Sequence, residues 1–147
     1  MFPEKQKILS RLEMEIGSLF KQGGDRVLML YPSPYRAGMS SLGYQWIISR
    51  LTEAGFSVER AFLPDDVEAW KKSRSPLLSY ETQTPVSHFP VIGISLAYEL
   101  EIAGLITALK LAGIPPLRKD RGSQSPRLIL GGPITFSNPL PCSPFVD

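Results

Sequence analysis

The chain is 147 residues long, enough for one domain that buries about two-thirds of its unfolded surface. Its 43% hydrophobic and 20% charged residues exclude a disordered chain, and a net charge of +2 without interleaved Lys/Arg and aromatics excludes a phosphate-gripping nucleic-acid surface. The single cysteine, Cys142, excludes an internal disulfide and an all-cysteine metal site, and suits a reducing compartment.

No apolar run approaches the roughly 18 residues of a membrane helix. Met1 to Arg11 carries charges throughout, with neither the apolar stretch nor the small-residue cleavage site of a signal peptide, so the cytoplasm is the expected location.

From Glu4 to Lys21 the spacing predicts an amphipathic helix. Ile8, Leu12, Ile16, Leu19 and Phe20 recur at helical intervals among Glu and Lys, Pro3 suits the first turn, and Gly23-Gly24 ends it. Such a helix packs on the domain that follows or docks a partner, which sets residues 1–25 apart from a core domain over 26–147. Arg26 to Tyr31, RVLMLY, is apolar without alternation, as in a strand buried on both faces. After a loop containing Pro32, Pro34 and Gly38, a helix is expected from Ser40 to Ala54. Leu42, Trp46, Ile47 and Leu51 form its apolar stripe, and Gly55 is its stop.

Ser57 to Leu63, SVERAFL, alternates and reads as a second strand nearer an edge. Pro64-Asp65-Asp66 opens a short helix through Lys72, its aspartates well placed at the positive end. Leu78 to Tyr80, bracketed by Pro76 and Pro85, is loop or a minor edge strand. Pro90 to Leu96, PVIGISL, is a third buried run. A helix over Glu99 to Ala112 follows, with Leu100, Ala103, Ile106, Leu109 and Leu111 apolar and Gly113 as its stop. Arg127 to Leu130 is the fourth run, broken by Gly131-Gly132-Pro133.

The order βαβαβαβ predicts an α/β fold: a Rossmann-like (flavodoxin-like), doubly wound, mostly parallel sheet of four to five strands with helices on both faces. The proline-rich segment after Pro133 is too short for another strand and helix. A fifth strand is expected on the open edge of the fourth, so the chain reads as the N-terminal portion of a longer polypeptide, truncated before its last strand. In isolation that edge could pair with a second copy as a homodimer.

Ligands of an open parallel sheet bind beyond the carboxyl ends of its strands. Tyr31 to Gly43, Ser95 to Glu99 and Gly131-Gly132-Pro133 converge there, with small residues that admit close approach and a helix start near Ser40 that offers amides to an anion. Each has a plainer role too: a tight turn for Gly131-Gly132, a helix cap for Ser40.

Catalytic signatures are missing. The chain has no G-x-x-x-x-G-K-[ST], no G-x-G-x-x-G after the first strand and no G-x-S-x-G. His88, the one histidine, precedes the third strand, at the end away from the crevice, and Cys142 lies in the proline-rich tail, so neither completes a nucleophile–base pair. Asp65, Asp66, Glu99 and Glu101 read as charges at helix starts. Glu99 is the one that projects near the crevice, and none has a partner at metal-ligand spacing.

Tyr35-x-x-Gly38-Met39-Ser40-x-Leu42-Gly43, Ile92-Gly93-Ile94-Ser95-Leu96-x-Tyr98-Glu99, Leu111-x-Gly113-Ile114-Pro115 and Gly131-Gly132-Pro133 follow one another in the chain. From Arg26 onward this resembles the N-terminal cobalamin (B12)-binding-like domain of radical SAM proteins. The resemblance implies a five-stranded Rossmann-like domain that precedes a catalytic barrel holding a 4Fe–4S cluster and S-adenosylmethionine. The barrel's C-x-x-x-C-x-x-C is absent here, so radical chemistry is implied for the parent protein and none for this chain, with the barrel of the same polypeptide as partner. It also implies a strand directly after Phe145-Val146-Asp147.

The resemblance further implies a corrinoid site lined by Tyr35, Gly38, Ser40, Gly43, Ser95, Tyr98, Glu99, Gly131 and Gly132, with glycines admitting the nucleotide tail and the two tyrosines packing on the corrin. Cobalamin domains that ligate cobalt carry D-x-H-x-x-G after the first strand. The loop here has no histidine, and the expected S-x-L reads Ser95-Leu96-Ala97. Two roles follow: a corrinoid bound histidine-off, or a structural and docking module that packs on the barrel and shapes its substrate access.

Overall fold

The computed structural model describes residues 3–18 and 20–147. Its first strand, β1 (Arg26–Pro34), lies between β2 (Ser57–Leu63) and β3 (Val91–Ser95), and β4 (Arg127–Gly131) follows β3, giving the order β2-β1-β3-β4. Every pair is parallel. The expected α/β, Rossmann-like class therefore holds, with four strands in the sheet.

The helices are α1 (Pro3–Glu13), α2 (Tyr35–Met39), α3 (Leu42–Glu53), α4 (Val67–Ser73), α5 (Glu101–Leu111) and α6 (Ile134–Ser137). Alternation along β1 divides the core. Leu28 and Leu30 are fully buried together with Ile92, Ile94, Leu128, Leu105 and Leu109. Met29 and Tyr31 point to the opposite face, where the Tyr44 hydroxyl of α3 donates to the Met29 carbonyl at 2.7 Å. Gly104 lets α5 cross the end of β1 closely, because a Cβ there would run into the Pro32 carbonyl oxygen.

Several elements depart from their sequence patterns. The N-terminal helix stops at Glu13 instead of running to Lys21. Ile16 is fully exposed, Gly17 has φ +81°, and Leu19 lies outside the described residues. A second group of contacts holds this connector: Glu15 bonds to Arg60 and Tyr35 in place of a further helical turn. Strand β1 runs on to Pro34, and the expected loop folds into α2.

The alternation expected of β2 does not appear: Ser57 to Phe62 are all buried. The segment after α4 lies along its outer edge, the Tyr80 N–H donating to the Arg60 carbonyl at 2.8 Å, so even the charged side chains of this strand are enclosed. Asp66 caps α4 by accepting from the Ala69 N–H at 2.9 Å, while Asp65 pairs with Arg11 of α1. The tail after Pro133 forms the four-residue α6 and a 3-10 turn at Leu140–Cys142. None of the described helices is long and apolar enough to cross a membrane.

Candidate functional site

Of the residues nominated at the exit of β1, Gly43 lies with the other strand exits, whereas Tyr35, Gly38 and Ser40 do not. The Tyr35 ring stacks on Tyr80, centroids 5.3 Å apart and planes 1° from parallel, and meets Phe62 edge-on. Its hydroxyl donates to Glu15 Oε1 at 2.6 Å, and burial together with that carboxylate pushes its pKa up to about 12. Gly38 is buried against the Phe62 ring, which leaves no room for a Cβ. Both residues belong to the aromatic packing under α2.

Ser40 does not start the next helix. Its exposed hydroxyl donates to the Arg36 carbonyl at 2.7 Å and closes α2; Ser41 is the N-cap of α3, its Oγ accepting from the Tyr44 N–H at 3.3 Å.

The other exits do converge. The Leu96 N–H donates to the Gly131 carbonyl at 3.0 Å, and the chain then turns through Gly132 at φ +105°. A Cβ on Gly132 would run into the Leu96 carbonyl oxygen, so both the conformation and the close approach require glycine. Tyr98 and Glu99 stand exposed in the turn that leads to α5. The buried acid there is Glu101, whose Oε2 accepts from the Ala97 N–H at 2.7 Å. Burial pushes the Cys142 thiol up, and Glu99 adds to the shift. His88 is exposed ahead of β3, at the opposite end of the sheet from Gly131-Gly132.

From this rim a trough of about 920 Å³ runs down the α3 face of the sheet. Val27, Met29, Val91, Gly93 and Ile129 make its floor, Trp46, Ile47 and Leu51 of α3 one wall, and Phe136 of α6 the other. Of the nominated residues, Gly43, Ser95, Gly131 and Gly132 line it. The apolar side chains are open to solvent: Trp46 is 61% exposed, Ile129 58% and Phe136 92%.

Of the expected buried stripe of α3, Trp46, Ile47 and Leu51 thus form the trough wall, Leu51 also packing against the core, while Leu42 is exposed outside it. Tyr44, Ile48 and Thr52 face the core instead. Helix α3 carries two stripes at i, i+4 spacing, and the inward one has its hydroxyls satisfied: Tyr44 donates to the Met29 carbonyl of β1 and Thr52 to the Ile48 carbonyl one turn back.

A charged cluster on the other side of β2 had no counterpart among the sequence candidates. The Arg60 guanidinium bonds Glu81 Oε1 through Nε at 2.6 Å and both oxygens of Glu15 through Nη1 and Nη2 at 2.8 and 2.9 Å. The signal available was Glu59-Arg60 inside an otherwise apolar strand, since an enclosed charge must find partners. These groups satisfy one another and hold the N-terminal connector. Among the described residues, no group of three or more His, Cys, Asp or Glu side chains is placed to hold a metal ion.

No curated protein and no solved structure matches the chain. Residues 43–147, from the first turn of α3 through β2, β3 and β4 to the last residue, match the model of the family described as radical SAM proteins, N-terminal; the chain belongs to that family.

Proposed function

We propose that this domain is a non-catalytic docking module of a radical SAM protein, and that its apolar trough packs against the catalytic part of the same polypeptide. The observation that carries this is the continuous apolar surface from Trp46 across Ile129 to Phe136, left open on a sheet whose other face buries Leu28, Leu30, Ile92, Ile94 and Leu128. Uncovered apolar surface on this scale marks an interaction site. The chain's one thiol, Cys142, is buried, and a 4Fe–4S cluster requires several thiolates, so cluster and S-adenosylmethionine belong to the catalytic part.

Cobalamin held by a protein histidine does not fit these residues. His88 lies at the wrong end of the sheet, and Tyr35 and Gly38 are used in packing. A histidine-off corrinoid keeps one supporting observation: Gly43, Ser95, Gly131 and Gly132 together line the broad rim of the trough.

The test places a charge in the trough of the intact radical SAM protein. Ile129→Lys with Phe136→Glu is expected to lower its thermal midpoint and open a protease-sensitive site between the two parts. An unchanged midpoint and cleavage pattern would remove the docking role. Hydroxocobalamin retained near stoichiometry after desalting, and lost in the same variant, would establish the corrinoid role in its place.

A further inference from the structure

Four of the ten residues from Arg118 to Arg127 are basic and one, Asp120, is acidic, in a chain whose net charge is only +2. The segment forms a 3-10 turn, Arg118–Asp120, and then a loop into the start of β4. It lies at the amino end of the sheet, opposite the rim at Gly131-Gly132. There Arg118, Arg121 and Arg127 border a hollow of about 390 Å³ together with Ser123 and Ser125. Asp147 is the one acid on its wall.

The three arginines are not equivalent. Arg118 and Arg127 are exposed, and among the described residues neither pairs with a carboxylate. Arg121 is built in: its side chain is 3% exposed, and Nη1 donates to the Pro115 and Pro116 carbonyls at 3.2 and 3.0 Å. Its Nη2 is 3.5 Å from Asp147 Oδ2, an oxygen that already accepts from the Leu128 N–H at 2.8 Å. Its Nε is buried without an acceptor. This cation is held in place and poorly compensated, which costs more once water is withdrawn. Three guanidiniums against one carboxylate leave the hollow with two positive charges in excess.

We propose that this hollow binds the phosphate group of a small phosphorylated molecule. A phosphate monoester carries about −1.5 to −2 at neutral pH, which matches the excess charge, whereas one carboxylate would leave half of it. Arg118 and Arg127 bring planar donor forks from the turn and from β4, the shape that suits phosphate oxygens, and the two serine hydroxyls add donors. Arg121 supplies a charge that does not have to be ordered on binding. A second hollow of about 410 Å³ shares Arg118 and is walled by Leu117 and Pro144, apolar ground for the rest of the molecule. Neither hollow has an aromatic side chain on its wall, so a nucleic-acid strand finds nothing to stack on. The site is separate from the trough and does not depend on the docking role.

Titration of the 147-residue chain with inorganic phosphate and with phenyl phosphate, at constant ionic strength, tests this through the amide chemical shifts of residues 122–125 and the thermal midpoint. Saturable shifts in that loop and a raised midpoint are expected with both, phenyl phosphate binding the more tightly. Arg118→Gln and Arg127→Gln should each weaken binding about tenfold or more. Neither should move the midpoint measured without phosphate, because both side chains are exposed and unpaired. Arg36→Gln, an exposed arginine on α2, should leave binding unchanged. No saturable shift at millimolar phosphate would overturn the site, as would acetate binding equally well or binding that survives Arg118→Gln combined with Arg127→Gln. A hexaglutamate peptide that binds where phosphate does not would overturn the phosphate ligand and assign the arginines to an acidic protein partner.

Discussion

Arg60 and Glu15 face each other through two parallel hydrogen bonds, Nη1 to Oε1 at 2.8 Å and Nη2 to Oε2 at 2.9 Å, and this pair ties the connector after α1 to the edge strand β2. Glu81 takes the remaining side of the guanidinium through Nε. The side chains of Arg60 and Glu81 are 10% and 8% exposed, so neither charge can fall back on water. The fork of an arginine suits two carboxylates in one plane where a lysine could not.

Arg60→Leu is accordingly expected to cost about 3–5 kcal/mol, since it leaves Glu15 and Glu81 enclosed without their cation. Arg60→Leu combined with Glu81→Leu should recover much of that loss, because the strand then encloses apolar groups of similar size. Urea unfolding of the two variants checks the order. A double variant less stable than the single one would show that the ion pair itself stabilises the fold.

Glu59 gives a prediction in pH. Burial alone would raise its pKa, but hydrogen bonds from Ser79, Thr82 and Arg26 outweigh it and the net shift is downward from the ordinary value of 4.5. A lowered folded pKa means that stability from the ionised group is fully present above the unfolded value and lost as pH falls through the folded one. Glu59→Gln is therefore expected to cost about 1–3 kcal/mol at neutral pH. The gap to the unaltered protein should narrow once pH drops below about 4.5. Unfolding midpoints of both proteins at pH 7, 4.5 and 3 give the comparison; a constant gap would mean that Glu59 acts by shape rather than charge.

The sheet and its order of elements were legible because β1, β3 and β4 are short apolar runs bounded by glycine or proline, and that pattern survives in three dimensions. The site was less legible, for a physical reason visible in Tyr35 and Trp46. Tyr35 follows a strand exit, where a ligand-facing side chain is expected, but a ring has two sides and its own fold supplied Tyr80 and Glu15 first. Trp46 belongs to a stripe indistinguishable from a core stripe by periodicity alone, since spacing records that a face is apolar and not what covers it. Arg60 was missed because its carboxylates come from residues 15 and 81, far away in the chain.

Gly131 and Gly132 are adjacent and have opposite tolerance. A Cβ on Gly131 meets nothing within 4 Å, and its φ is not positive. On Gly132 the Cβ would strike the Leu96 backbone, with φ at +105°. Gly131→Ala should change stability by less than about 0.5 kcal/mol, whereas Gly132→Ala should cost about 2–4 kcal/mol from backbone strain and overpacking together. Thermal melts of the two variants read the difference, and equal losses would contradict the tight turn at the rim.

Helix α3 supplies the last prediction, because its two stripes make opposite demands. Ile48 is 5% exposed against the sheet, and Ile48→Ala should cost about 2–4 kcal/mol through lost burial and a residual cavity. Tyr44→Phe keeps the ring and loses the bond to the Met29 carbonyl, for about 1–2 kcal/mol. Trp46 touches the domain less: Arg50 lies over its ring with Cζ 5.9 Å from the centroid, and 61% of the residue is open. In the 147-residue chain Trp46→Ser should therefore stay within about 0.5 kcal/mol of the parent. The same change should lower the fluorescence of a bound hydrophobic dye, since it removes part of the trough wall. A large loss of stability from Trp46→Ser would place that side chain in the core and close the trough.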